Sequence, residues 1–193
     1  MMDDQLVDTW NIHTRINLYL LDAIPPEALE GTVGGKGRSA GAMFAHIHNT
    51  RCTWLELTPE LLKGLEKIPK EKVADKKLLR KSLEASGKAM ATLIEAGIQT
   101  GKIKGFKPHP AAFVGYAIAH ESYHHGEIGI VLSQSGHPLD KKVAYGMWEW
   151  GVRLGQRIRR ITRIAIRRIH QIRCLTCAPA VPPPPPPPDP FQT

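Results

Sequence analysis

Four long stretches of this chain repeat their apolar residues at intervals of three and four, which is the period of a helix buried on one side. The four stretches are residues 4–24, 42–57, about 75–97 and about 110–135. Pro25 and Pro26 end the first stretch, and Gly136 followed by Pro138 ends the last. Only residues 97–106 compete with this pattern, as a short extended piece. The sequence therefore predicts an all-α fold, a four-helix bundle.

The segment after the fourth stretch predicts a short extra helix. It begins after Asp140 and reads KKVAYGMWEWGVR. Its large apolar side chains are Met147, Trp148 and Trp150, and we expect them to pack over one end of the bundle.

The positive charge of the chain lies in one C-terminal segment. The net charge is +8, but residues 153–173 hold eight arginines and no acid, which leaves 18 Lys+Arg against 18 Asp+Glu elsewhere. Isoleucines at near-helical spacing separate those arginines, and a proline run follows, which forms extended polyproline structure without a core. We therefore divide the chain into a bundle domain (1–152), a basic amphipathic helical extension (153–177) and a disordered proline-rich tail (178–193).

The composition also bears on location. Three cysteines, Cys52, Cys174 and Cys177, form no disulfide framework. The acidic first residues lack the basic and apolar regions of a secretory signal, and no stretch reaches the roughly 18 apolar residues of a membrane span. We expect a cytoplasmic protein without a transmembrane segment.

Histidines are crowded into the fourth stretch, in AIAHESYHHGEIGIVLSQSG (117–136). His120 and His124 are four residues apart, so on a helix they share one face, and that face also carries Phe113 and Val131. The pair is expected to point toward the interior, where each imidazole nitrogen needs a partner. A divalent metal ion satisfies that need, and a His-x3-His pair supplies two ligands from one helix turn.

A third ligand is expected from the second stretch, which contains FAHIHNTRCTW. The apolar face of that helix is centred near Ile47. His46 and His48 lie on opposite flanks of that centre, each about a quarter-turn away. Periodicity therefore leaves both histidines open as the third ligand.

The chain resembles the DinB-like (DinB/YfiT) superfamily over roughly residues 4–152. The resemblance rests on a histidine eight residues before a tryptophan, His46 and Trp54, and on HESYHHGE (120–127), which matches a His-x3-His-Arg-Gly-Gln-like motif. These proteins are metal-binding four-helix bundles that include bacillithiol- and mycothiol-dependent transferases and isomerases. The resemblance implies metal ligands at His46, His120 and His124, with His48 as the alternative to His46.

This sequence departs from the family motif at two positions. His125 and Glu127 stand where the motif has arginine and glutamine. We expect His125 to face outward, although it could act as an additional ligand. Glu127 lies one turn beyond His124, where its carboxylate could orient the imidazole of a ligand or simply remain in solvent.

Two functions are compatible with the residues. The resemblance implies one bound divalent ion, zinc or nickel. It also implies a low-molecular-weight thiol that is held as its thiolate and attacks a small electrophile. The same kind of site can also hydrolyse such a molecule. This first hypothesis is a metal-dependent enzyme connected with stress or detoxification. The alternative is a non-catalytic metal-binding or interaction protein whose basic extension binds nucleic acid, an anionic membrane or an acidic partner. Either form could be a homodimer.

Overall fold

The computed structural model describes residues 2–156. The helices are α1 (Met2–Ala23), α2 (Ala40–Leu55), α3 (Pro59–Leu62), α4 (Lys76–Thr100), α5 (Pro110–Gln134) and α6 (Lys141–Gly146). Single 3-10 turns at Pro26–Glu30 and Lys70–Lys72 interrupt the connections, and residues 150–156 are again helical. The prediction of an all-α fold is confirmed.

The four long helices of this part of the chain pack as a bundle. α1 packs against α4, α4 against α2, α2 against α5, and α5 against α1. This ring brings α2 and α5, which carry the histidine-rich segments, side by side. The bundle therefore places two distant parts of the sequence along one seam.

Local sequence explains where the helices begin and end. Ser39 Oγ accepts a hydrogen bond from the Ala42 amide at 3.2 Å, and Asp75 does the same for Leu78 at 2.9 Å. Gly101 ends α4 with a φ of 73°, a left-handed conformation that glycine adopts at little cost. The residues that competed as an extended piece instead continue α4 and then form a tight turn with one isolated bridge, Ile103 to Phe106.

The core consists of two apolar clusters. One cluster lies at the end of the bundle where α2 begins, and its largest residues include Leu20, Leu21, Phe44, Ile47, Leu79, Leu83, Ile128 and Leu132. The other lies toward the end where α5 begins, and includes Trp10, Leu55, Met90, Ile94, Phe113 and Val114. Buried polar side chains of α1, α2, α4 and α5 lie between the two clusters.

The short C-terminal helix does not cover the bundle as predicted. Trp148 is 80% exposed, so the prediction that it packs over the bundle is wrong. Met147 does contact the first core cluster. Arg153 lies over the Tyr19 ring, 3.8 Å from its centroid, and donates a hydrogen bond to the Gly146 carbonyl at 3.1 Å. The buried Arg153 thus covers the surface of α1 around Tyr19 through a cation–π contact.

Most of the proposed basic extension and the whole proline-rich tail lie outside the described residues, which end at residue 156. The division into three segments therefore stays a prediction. Within residues 2–156, none of the helices combines the length and the apolar character that crossing a bilayer requires.

Part of the connection between α3 and α4, residues 66–73, runs along one flank of α2 and is bound to it by side chains. His48 Nε2 lies 2.9 Å from the Glu66 carbonyl oxygen. Asn49 donates to the Ile68 carbonyl at 3.0 Å and accepts from the Ile68 amide at 2.8 Å. Because one amide side chain satisfies both backbone groups of Ile68, the segment is held in register on the helix.

Gly41 allows this segment to approach α2 closely, and we expect Gly41→Ala to destabilise the fold. A Cβ at position 41 would overlap the backbone carbonyl of Val73, which no side-chain rotation can relieve. The expected loss in the free energy of unfolding is about 1–3 kcal/mol, measured by urea denaturation. Gly115 in α5 is the matched control, because a Cβ there meets no atom within 4 Å. Gly115→Ala should stabilise by about 0.5–1 kcal/mol, and an equal response of the two variants would contradict the role of Gly41.

Candidate metal centre

Three imidazoles from two helices meet at the seam between α2 and α5. His46 comes from α2, and His120 and His124 come from successive turns of α5. One nitrogen from each ring can be chosen so that all three lie within 4.8 Å of one another. The His46 ring centroid is 5.5 Å from that of His120 and 4.7 Å from that of His124. The fold thus joins residues that are more than 70 positions apart in sequence.

The spacing of these nitrogens suits a divalent ion. The two Nε2 atoms of His120 and His124 are 3.3 Å apart. Two nitrogens that bind one zinc ion tetrahedrally at about 2.0–2.1 Å are themselves about 3.3–3.4 Å apart. The pair on α5 therefore already has the separation that a shared ion requires, and the His46 ring closes the third side.

Glu127 sets the orientation of His124. Its Oε2 lies 2.6 Å from His124 Nδ1, so this nitrogen carries the proton and donates it to the carboxylate. The other nitrogen, Nε2, then presents its lone pair toward His120. A carboxylate that holds the distal nitrogen of an imidazole in this way is a common support for metal-binding histidines.

The protonation state of His46 and His120 also favours the binding of a cation. Burial, and then the positive charge of Arg38, lower the pKa of His46 to about 4. Burial, followed by the neighbouring His124, lowers the pKa of His120. Both rings are therefore neutral at pH 7, which is the form that binds a metal ion.

His48 faces away from this group. It is 1% exposed, and its Nε2 lies against the Glu66 carbonyl and 3.4 Å from Cys52 Sγ. Of the two histidines that periodicity left open, the structure brings His46 to the pair on α5. The segment 66–73 occupies the flank of α2 on which His48 lies.

The group lies at the edge of the bundle and not in the dry interior that the sequence suggested. His124 is buried at 4% exposure, whereas His46 and His120 are both partly exposed. The interior side of α5 at this level belongs instead to Glu121 and His125. A site at the seam is open to small molecules from solvent, which a site in the core would not be.

A buried polar network lies directly behind the three histidines. Glu121 accepts hydrogen bonds from Arg51 Nε and Nη2, both at 2.7 Å, and from Asn17 at 2.9 Å. His13 Nε2 lies 2.9 Å from the same carboxylate. Arg51 also donates to the Leu83 carbonyl of α4 at 2.9 Å. One carboxylate thus links α1, α2 and, through Arg51, α4 to the helix that carries His120 and His124.

His125 belongs to this network, so the prediction that it faces outward is wrong. It is 9% exposed, its Nε2 lies 2.9 Å from Asn17 Oδ1, and its ring stacks on His13 with centroids 5.5 Å apart. Burial, and then the charge of His13, lower the pKa of His125 to about 3. The side chains of His13 and Asn17 on α1 thus give His125 its partners inside the bundle.

Sequence reasoning missed the network, although α1 carried a signal for it. Trp10, Leu20 and Ile24 follow a helical apolar row that His13 and Asn17 interrupt at a spacing of four. Polar residues four apart in an otherwise apolar row predict a buried polar pair.

Aromatic side chains form the other wall of the site. The Tyr116 ring stacks near His120, with centroids 6.4 Å apart, and Tyr123 meets the His124 ring edge-on at 5.4 Å. Trp54 packs against Tyr116 at 5.8 Å. Both tyrosines are exposed, so they offer aromatic surface beside the histidine group.

Cys52 is the one cysteine among residues 2–156, and it is a poor nucleophile. It is 1% exposed, and burial raises the pKa of its thiol. The uncharged thiol of this α2 residue is packed in the bundle interior.

Comparison with known proteins bears on the whole bundle. The DinB family matches residues 1–148, a range that contains His46, His120, His124 and the network behind them. No significant match is found among curated proteins or among solved structures. Because the match covers most of the chain and includes both histidine-bearing helices, this protein belongs to the DinB family.

Proposed function

We propose that this protein is a metal-dependent enzyme that transfers a low-molecular-weight thiol to a small electrophile, or hydrolyses such a molecule, in stress or detoxification. The single observation that carries the proposal is the meeting of three imidazole nitrogens within 4.8 Å at an open seam. Membership of the DinB family supports a divalent metal there. His46, His120 and His124 would hold one zinc or nickel ion.

A divalent ion on three neutral imidazoles supplies a Lewis acid with a free position, which lowers the pKa of a thiol or water. The protein contributes the rest. Glu127 keeps the proton of His124 on Nδ1 and so leaves Nε2 free. Arg51 and Glu121 hold α5 in its rotational position, and the exposed rings of Tyr116 and Tyr123 shield one side from water.

In the transfer reaction the sulfur of the thiol attacks an electrophilic carbon. A carbon–sulfur bond forms while the bond from that carbon to its leaving group breaks, and the leaving group departs with the electron pair. The thiol proton passes to water. Because Cys52 is buried and uncharged, we assign the nucleophile to a small external molecule.

Conjugation of 1-chloro-2,4-dinitrobenzene tests this proposal. We expect zinc- or nickel-loaded protein to accelerate its reaction with one of four thiols, namely cysteine, glutathione, bacillithiol and mycothiol. Chelator-treated protein and the His120→Ala variant should show only the uncatalysed rate, followed by the absorbance of the thioether product. Equal activity with and without metal would contradict the proposal.

Metal binding without turnover would favour the alternative, a non-catalytic metal-binding or interaction protein. Its proposed binding element, the basic extension (153–177), lies almost wholly outside the described residues. We therefore place the function in the bundle, where the described geometry supports it.

A further inference from the structure

A cleft of about 630 Å³ opens beside the three histidines, and His46 belongs to its wall. Its floor is one face of α2, where Ala42, Ala45 and Asn49 lie at helical spacing. The small alanine side chains leave room above the helix. His46 belongs both to the cleft wall and to the histidine group, so a molecule in this cleft would lie against one of the three candidate metal ligands.

Both side walls of the cleft are built by specific contacts. One wall is the loop before α2, which ends at Ser39, the residue that caps the helix. The other wall is the segment 66–73, which Asn49 holds through two hydrogen bonds to Ile68. The absence of a side chain at Gly41 lets Val73 rest on the helix. These contacts indicate a preformed cavity and not a chance gap between loops.

The charges of the cleft have one sign. Arg38 extends from the first wall and Lys70 from the second, and the lining residues include no aspartate or glutamate. Neither cation has a hydrogen-bond or ion-pair partner among residues 2–156. The buried Arg51, by contrast, is paired with Glu121. Two unpaired cations facing one cavity favour an anionic occupant.

We propose that this cleft binds a carboxylate or phosphate group of a small-molecule substrate through Arg38 and Lys70, and so places the rest of that molecule beside His46. The inference rests on the proposed function, since it names the substrate class of the same site. The guanidinium of Arg38 can hold two oxygens of either anion, whereas Lys70 supplies a single charged donor. The reacting end of the molecule then lies toward the three histidines.

Binding of simple anions to the metal-free protein tests this proposal independently of catalysis. Succinate and inorganic phosphate are titrated against 15N-labelled protein, and succinamide serves as the uncharged analogue of succinate. We expect saturable amide shifts at Gly37 and Asn49 with at least one anion, and none with succinamide. The double variant Arg38→Gln/Lys70→Gln should bind at least about tenfold more weakly, because charge-assisted hydrogen bonds are lost.

The double variant Lys102→Gln/Lys104→Gln is the matched control. It removes the same charge from exposed positions in a loop outside the cleft, so it should bind anions as the wild type does. Equal affinity for succinate and succinamide, or equal weakening in both double variants, would overturn the proposal. An anion that binds only after zinc loading, and is unaffected by the loss of Arg38 and Lys70, would overturn it as well.

The same titration separates this inference from the proposed function. Protein that binds no metal but still prefers succinate to succinamide would contradict the metal-dependent enzyme and leave the anion cleft standing. Protein that binds metal at the histidines, and shows no preference for an anion, would contradict only the cleft.

Discussion

Replacement of His120 by alanine is expected to reduce the metal content of the purified protein from about one ion per chain to nearly none. His46→Ala should do the same, because each variant leaves only two imidazoles on the ion. His120 and His46 are partly exposed, so their removal should leave the helical fold intact. Metal analysis of protein purified without chelators or an affinity tag, together with circular dichroism, measures both quantities.

Two further variants make this result specific. His48→Ala should retain the metal, since His48 contacts the Glu66 carbonyl and not the group. Glu127→Ala should bind metal about 10–100-fold more weakly, because His124 loses the carboxylate that holds its Nδ1. Metal lost from His48→Ala but kept in His46→Ala would show that the ion is bound elsewhere.

Replacement of Glu121 by glutamine should destabilise the metal-free protein by about 3–5 kcal/mol, because it leaves the buried Arg51 guanidinium without its carboxylate. Arg51 is 1% exposed and Glu121 2% exposed, so water cannot replace the lost partner. Urea denaturation of metal-free protein measures the change without a contribution from metal binding.

An exposed ion pair provides the control. Arg80 Nε lies 3.0 Å from Asp22 Oδ1, with both side chains 47% exposed. Arg80→Gln should therefore cost no more than about 1 kcal/mol. Equal destabilisation by Glu121→Gln and Arg80→Gln would contradict a structural role for the buried network.

The cost of Glu121→Gln should also depend on pH. Burial by itself raises the pKa of Glu121, but the Arg51 charge and the hydrogen bonds from Arg51 and His13 outweigh burial and hold this pKa below its ordinary value of 4.5. The carboxylate therefore stabilises the folded state above pH 4.5, and this contribution is lost as the pH falls below that value. The difference in the free energy of unfolding between wild type and Glu121→Gln should therefore become smaller as the pH falls below 4.5. A difference that does not change with pH would contradict this role of Glu121.

The helical framework was predictable from the sequence because it depends on local chemistry. Apolar spacing and the stops at Pro25 and Gly136 act within one or two turns, and α1 and α5 end where these stops predicted. α4 instead continues to Thr100, past the end predicted near residue 97. The crowding of histidines into two of these helices was equally visible. The prediction that Trp148 packs on the bundle was wrong, because the apolar character of a residue does not show whether the fold leaves a surface for it to pack on.

Periodicity locates a side chain around the axis of its own helix, and it carries no information on which neighbour occupies each flank. His46 and His48 were equivalent by that measure, until the segment 66–73 took the side of His48 and α5 took the side of His46. His125 turned inward because His13 and Asn17 of α1 offered it a partner. The sequence by itself determined the helices and the imidazoles they carry, whereas the contacts between helices decided which imidazoles meet and which are buried.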